Sequence, residues 1–194
     1  MANIVNDVLL RRGLRLEYLT LAWNVVGTMV VIGAAVNAGS VALAGFGIDS
    51  LIEIFASVVV IWQLRDVGKN RERRAMRLIS IAFFALVIYV LGQSGRTLLL
   101  QLHPQTSTLG MVWLAATLIA MLLIAWGKHR VGKQLNNPVL LTEARVTLVD
   151  AYLAAAVLAG LILNSFFGWW WADPLAGLVI VYYGLREGWH AWHG

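Results

Sequence analysis

Six apolar stretches, each close to the roughly 20 residues that cross a bilayer as a helix, run through almost the whole chain. They cover 16–36, 41–64, 78–100, 109–126, 142–166 and 174–192. Hydrocarbon offers no water to backbone N–H and C=O groups, so such stretches must satisfy those groups internally, as helices. Composition agrees, because the 194 residues are 60% hydrophobic and only 13% charged, against about 45–50% and about 25% in soluble domains. The expected fold is an all-α integral membrane protein, a six-helix bundle forming one transmembrane domain over residues 1–194. No soluble domain, long linker or short repeat is apparent.

The connectors give an orientation. Arg11, Arg12 and Arg15 precede the first span. Arg65, Lys69, Arg71, Arg73, Arg74 and Arg77 separate the second from the third, and Lys128, Arg130 and Lys133 the fourth from the fifth. The connectors 37–40, 103–108 and 167–173 hold no Lys or Arg. The positive-inside rule then places both termini in the cytoplasm, with Arg96 as the exception. Trp169, Trp170 and Trp171 fall where an outer aromatic belt belongs, and Trp189 and Trp192 can anchor the opposite end. The net charge of +5 does not indicate nucleic acid, because the basic residues cluster between apolar runs. Val36-Asn37-Ala38 loosely resembles a signal-peptide cleavage site, but the run before it is long and a second span follows at once, so the segment is expected to stay.

Charges inside the spans carry the functional signal. Asp49 and Glu53 lie four residues apart, about one helical turn, and so share one face deep in the second span. A bare charge there costs about 2.5 kcal/mol or more, and a cation is the simplest neutralising partner. The fifth span adds Asp150. Glu143, two turns earlier, shares its face with Thr147 between them; an interfacial ion pair with Arg145 or a connector Lys is the plain reading of Glu143. Asn24 in the first span is either a ligand or an interhelical hydrogen bond. Glu17, and the group Gln93, Ser94 and Arg96, read as interfacial. His103, His129, His190 and His193 all fall in connectors or at the C-terminal end and read as solvated. Ala151, Ala155 and Ala159 form a small-residue ladder that suggests close helix contact.

There is no Cys, so any metal must be held by oxygen or imidazole. Three carboxylates and an amide oxygen suit a hard divalent ion such as Mn²⁺, Mg²⁺ or Ca²⁺, although Zn²⁺ also accepts carboxylates. Carboxylates in one site can also bind protons when an ion leaves. No nucleophile–base arrangement or phosphate loop suggests an enzyme.

Taken in order, these residues resemble the cation diffusion facilitator family. That family shows an Asn in its first span, then Gly, Ser and small residues leading to Asp-x-x-x-Asp in its second. Asn24, Gly33, Ser40, Asp49 and Glu53 match. Asp173, Pro174 and Gly177 match the opening of its sixth span. Its fifth span carries His-x-x-x-Asp or Asp-x-x-x-Asp, and alignment on Asp150 puts Val146 at the first position, where it offers no ligand. Asn24, Glu143 or water can fill that gap. The C-terminal cytosolic domain of many members is not seen, so the chain resembles a short subgroup. The resemblance implies efflux of a divalent cation of the Zn, Mn, Fe or Cd class in exchange for protons, with alternating access around a midplane site. It implies metal binding by Asp49, Glu53, Asp150, Asn24 and Glu143, a homodimer in the bacterial inner membrane, no prosthetic group and no nucleic-acid partner. A non-transporting membrane interaction protein with a degenerate site is one alternative. An organic-cation/proton exchanger using the many aromatics is the other.

Overall fold

A computed structural model describes residues 2–63, 69–136 and 138–193. Six helices follow one another: α1 (Ala2–Ala38), α2 (Val41–Gln63), α3 (Lys69–Leu99), α4 (Thr108–Leu135), α5 (Pro138–Phe167) and α6 (Ala172–His193). No strand occurs among the described residues. Four stretches are long and apolar enough to cross a membrane: Val8–Ala38, Ser80–Leu99, Thr108–Leu135 and Glu143–Phe167. Helices α2 and α6, with 23 and 22 residues, have spanning length as well. The chain is an all-α membrane bundle.

Each expected span lies within one helix or within a residue of its end, but several helices are much longer. Helix α1 has 37 residues, about 55 Å at 1.5 Å per residue, against a hydrocarbon core of about 30 Å. Hydropathy marks where the bilayer is, whereas the helix continues into water wherever its backbone bonds can. Arg11, Arg12 and Arg15 are therefore helical and exposed, and the basic run from Lys69 to Arg77 forms the first turns of α3. Arg65 lies outside the described residues. One connector assignment needs correcting. Lys128, counted above among the residues between spans, sits inside α4 and is fully buried, while Arg130 and Lys133 are exposed.

The helices close a ring in the order α1, α2, α3, α6, α5, α4. Helix α2 leans inward and also touches α5 and α6. Its core partners include Val31 of α1, Val90 of α3, Val157 of α5 and Ile180 of α6. The residues of α2 that face these neighbours are thus shut off from lipid, which is what permits carboxylates there.

One end of the bundle is tied tightly. Gly39, with φ +62°, supplies the left-handed turn between α1 and α2 that side chains disfavour. Ser40 then caps α2, its Oγ accepting from Leu43 N at 3.1 Å. Asp173, in the first turn of α6, accepts the Ser40 hydroxyl and the α2 backbone amides of Val41 (2.9 Å) and Ala42 (3.4 Å). Its negative charge lies against the positive end of the α2 dipole. Asn164 Nδ2 donates to the Pro104 carbonyl at 2.9 Å, so this polar residue of α5 holds a connector. His103 stacks on Trp170 nearby, and His129 and His190 are exposed.

The expected alanine ladder is not the closest helix contact. Ala151 is buried but Ala159 is exposed. The tight approach lies one residue on, at Gly160, where a Cβ would come within 2.8 Å of Ala176 Cβ and 3.1 Å of the Ala172 carbonyl oxygen on α6.

Candidate metal centre

Asp49 is the ninth residue of α2, about 12 Å along the helix from its capped start, and Glu53 follows one turn later. Gly47 lets α2 pack closely against α1, since a Cβ there would sit 2.9 Å from Ile32 Cγ1. Asp150 arrives from α5. One carboxylate oxygen from each of Asp49, Glu53 and Asp150 lies within 4.8 Å of the others. The three residues are 4%, 7% and 1% exposed. Two unit charges 4.8 Å apart repel by about 3.5 kcal/mol even at an effective dielectric of about 20. Three ionised carboxylates in this arrangement would therefore cost about 10 kcal/mol of repulsion, before desolvation.

Few protein groups offset that cost. Asn24 Nδ2 donates to Glu53 Oε2 at 2.8 Å, so the first-span amide holds one carboxylate in place. Neither oxygen of Asp150 has a hydrogen-bond partner. Val146 is part-buried one turn before Asp150 on α5 and supplies only hydrocarbon. The cluster is a pocket of negative charge assembled from α2 and α5 and braced from α1, and a cation or protons can neutralise it.

Glu143 does not join this group. A second buried polar cluster forms around Lys128, whose Nζ lies 3.0 Å from Glu17 Oε2, 3.5 Å from Glu143 Oε2 and 3.2 Å from Thr147 Oγ1. Glu17 and Lys128 are both 0% exposed. The interfacial reading of Glu17 is thus corrected: it is buried, and its partner comes from α4, 111 residues away. Glu143 does pair with a Lys, while Arg145 is exposed. Lys128 was missed as an inner residue because the apolar run of its helix stops at Trp126. An unmatched carboxylate at Glu17, facing an otherwise apolar span, was the one available hint.

Several proteins named as transporters resemble the chain. An uncharacterized transporter of Synechocystis sp. is 25% identical over 170 residues, covering 82% of this chain and 55% of the relative. A cation-efflux pump, FieF, of Shewanella oneidensis is 27% identical over 164 residues, 84% of this chain and 54% of the pump. A cadmium, cobalt and zinc/H⁺–K⁺ antiporter of Bacillus subtilis is 32% identical over 88 residues, 45% of this chain and 28% of the antiporter. The chain spans about half the length of the first two. The sequence profile of the cation efflux transmembrane domain matches residues 18–192, a stretch that includes Asp49, Glu53 and Asp150, and the chain belongs to that family.

Proposed function

We propose that the protein exports a divalent metal cation by exchange for protons, with Asp49, Glu53 and Asp150 as the transport site. The observation that carries this reading is the convergence of three buried carboxylates within 4.8 Å, with no hydrogen bond to either oxygen of Asp150. A divalent ion neutralises two of the three charges, and protons can take its place when it leaves. Asn24 positions Glu53, and its carbonyl oxygen is a further donor toward an ion. An all-oxygen set of this kind accepts Mn²⁺, Fe²⁺, Zn²⁺ or Cd²⁺. The similarity to a cation-efflux pump and to a cadmium, cobalt and zinc antiporter supports the same substrate class.

The six helices act as one transmembrane unit with both termini in the cytoplasm, since the exposed Arg11, Arg12, Arg15, Arg77, Arg130 and Lys133 all belong to one end of the bundle. Alternating access follows secondary-transporter logic, with helices rocking around a site at mid-depth. A homodimer in the bacterial inner membrane completes the proposal. The test is proton-driven uptake of Cd²⁺, Zn²⁺ or Mn²⁺ into inverted vesicles. Asp150→Asn removes one of the three negative charges and a proton-exchanging group, so uptake should fall at least tenfold. Wild-type uptake by Asp150→Asn would refute the site. Failure of the purified wild-type protein to bind any divalent ion would favour a non-transporting interaction protein instead.

A further inference from the structure

The Lys128 cluster touches the transport site electrically without sharing a ligand with it. On α5, Glu143, Thr147 and Asp150 line one face, and Lys128 holds the first two. Thr147, which lies 3.2 Å from Lys128 Nζ, is three residues before Asp150 on that face, so the ammonium sits about one helical turn from the cluster. An ammonium that is 0% exposed is expensive in a membrane bundle unless it has work to do there. A packing role alone would be met by apolar side chains, which often replace buried ion pairs with no loss of stability. The cluster is also unbalanced: two carboxylates face one ammonium, and Glu17 Oε1 has no hydrogen-bond partner.

We propose that Lys128 is a tethered internal cation that sets the affinity of the Asp49–Glu53–Asp150 cluster for its ion, with Glu17 as the residue that holds it back. This inference rests on the reading of that cluster as a cation site. A fixed positive charge near Asp150 opposes the arrival of another cation, and a divalent ion feels that opposition twice as strongly as a monovalent one. Glu17 draws the ammonium toward α1 and offsets part of its field. Lys128 is thus a positioning residue that acts on the ion through the field and through Thr147, without binding it.

The field argument gives the two partners opposite effects, which a merely structural ion pair does not. The full chain in lipid nanodiscs would be titrated with Cd²⁺ by calorimetry. Lys128→Gln should tighten binding roughly tenfold, because the competing charge is gone. Glu17→Gln should weaken it roughly tenfold, because the ammonium is released toward Asp150. The double variant, which removes one charge of each sign, should return to within about threefold of wild type, and Lys128→Arg should shift affinity less than Lys128→Gln. Should Lys128→Gln not fold, the weakening by Glu17→Gln and its reversal in the charge-cancelling double variant carry the test. Shifts of the two single variants in the same direction, or no shift in Glu17→Gln, would overturn the inference. Asp150→Asn separates the two levels. If wild type binds Cd²⁺ and Asp150→Asn does not, while Glu17→Gln and Lys128→Gln move affinity together, only the role of Lys128 fails. If wild type binds no Cd²⁺, the cluster reading fails and this inference with it.

Discussion

Two glycines in long helices make a matched pair of perturbations. Gly160 of α5 faces α6, and an added Cβ there would lie 2.8 Å from Ala176 Cβ and 3.1 Å from the Ala172 carbonyl oxygen. Neither neighbour can swing away, since one is backbone and the other is fixed to it. Carbon atoms prefer about 3.5–4.0 Å, so α5 and α6 would have to separate by about 0.7 Å. Overpacking of this kind costs about 1–3 kcal/mol. Alanine also gains about 0.5–1 kcal/mol over glycine in a helix interior. The net expectation for Gly160→Ala is a loss of about 0–2.5 kcal/mol. Gly92 of α3 lies in a helix interior with nothing within 4 Å of an added Cβ. Gly92→Ala should therefore keep the whole propensity gain and stabilise by about 0.5–1 kcal/mol. Reversible unfolding in mixed detergent–SDS micelles, followed by circular dichroism, would read both. Stabilisation of Gly160→Ala by as much as Gly92→Ala would show that the α5–α6 contact yields easily and that the argument from close approach is wrong.

Two further perturbations bear on the site. Val146→His places an imidazole one turn before Asp150, and because imidazole suits Zn²⁺ better than Mn²⁺, Zn²⁺ affinity should rise about tenfold with a smaller change for Mn²⁺; equal changes for both ions would show that position 146 does not face the site. Asp173→Ala strips the α2 amides of Val41 and Ala42, and the Ser40 hydroxyl, of a buried charged acceptor. At about 1–3 kcal/mol for each buried group left without a partner, three such groups give a loss of about 3–9 kcal/mol, and a loss below about 1 kcal/mol in the same unfolding assay would exclude a capping role.

What the sequence made legible followed from cost. Asp49, Glu53 and Asp150 stand out because hydrocarbon makes each one expensive, and the helical period alone puts Asp49 and Glu53 on one face. The bundle was legible for the same reason, since each apolar run has the length of a bilayer. Partnerships between distant segments were not legible. Nothing local to Lys128 reveals that Glu17 faces it across 111 residues, and hydropathy moved Lys128 into a connector because its helix outlasts the apolar run. Asp173 and Pro174 could be matched to a family pattern, but the pattern did not say that the carboxylate caps α2. The ladder Ala151, Ala155 and Ala159 identified α5 as a helix with small residues. It missed the contact itself, because periodicity picks a face only relative to the helix and not to its neighbour.

The bond between Asp173 and the start of α2 also has a consequence for biosynthesis. The amides of Val41 and Ala42 leave the ribosome 132 and 131 residues before the carboxylate that accepts them. At about 5–20 residues per second, that interval lasts about 7–26 s. Throughout it, α2 and the carboxylates it carries must wait in the membrane or its insertion machinery with an end held only by Ser40. The α1–α2 end therefore stays uncapped by Asp173 until α6 has been made, and the arrival of α6 is the step that fastens this end of the bundle.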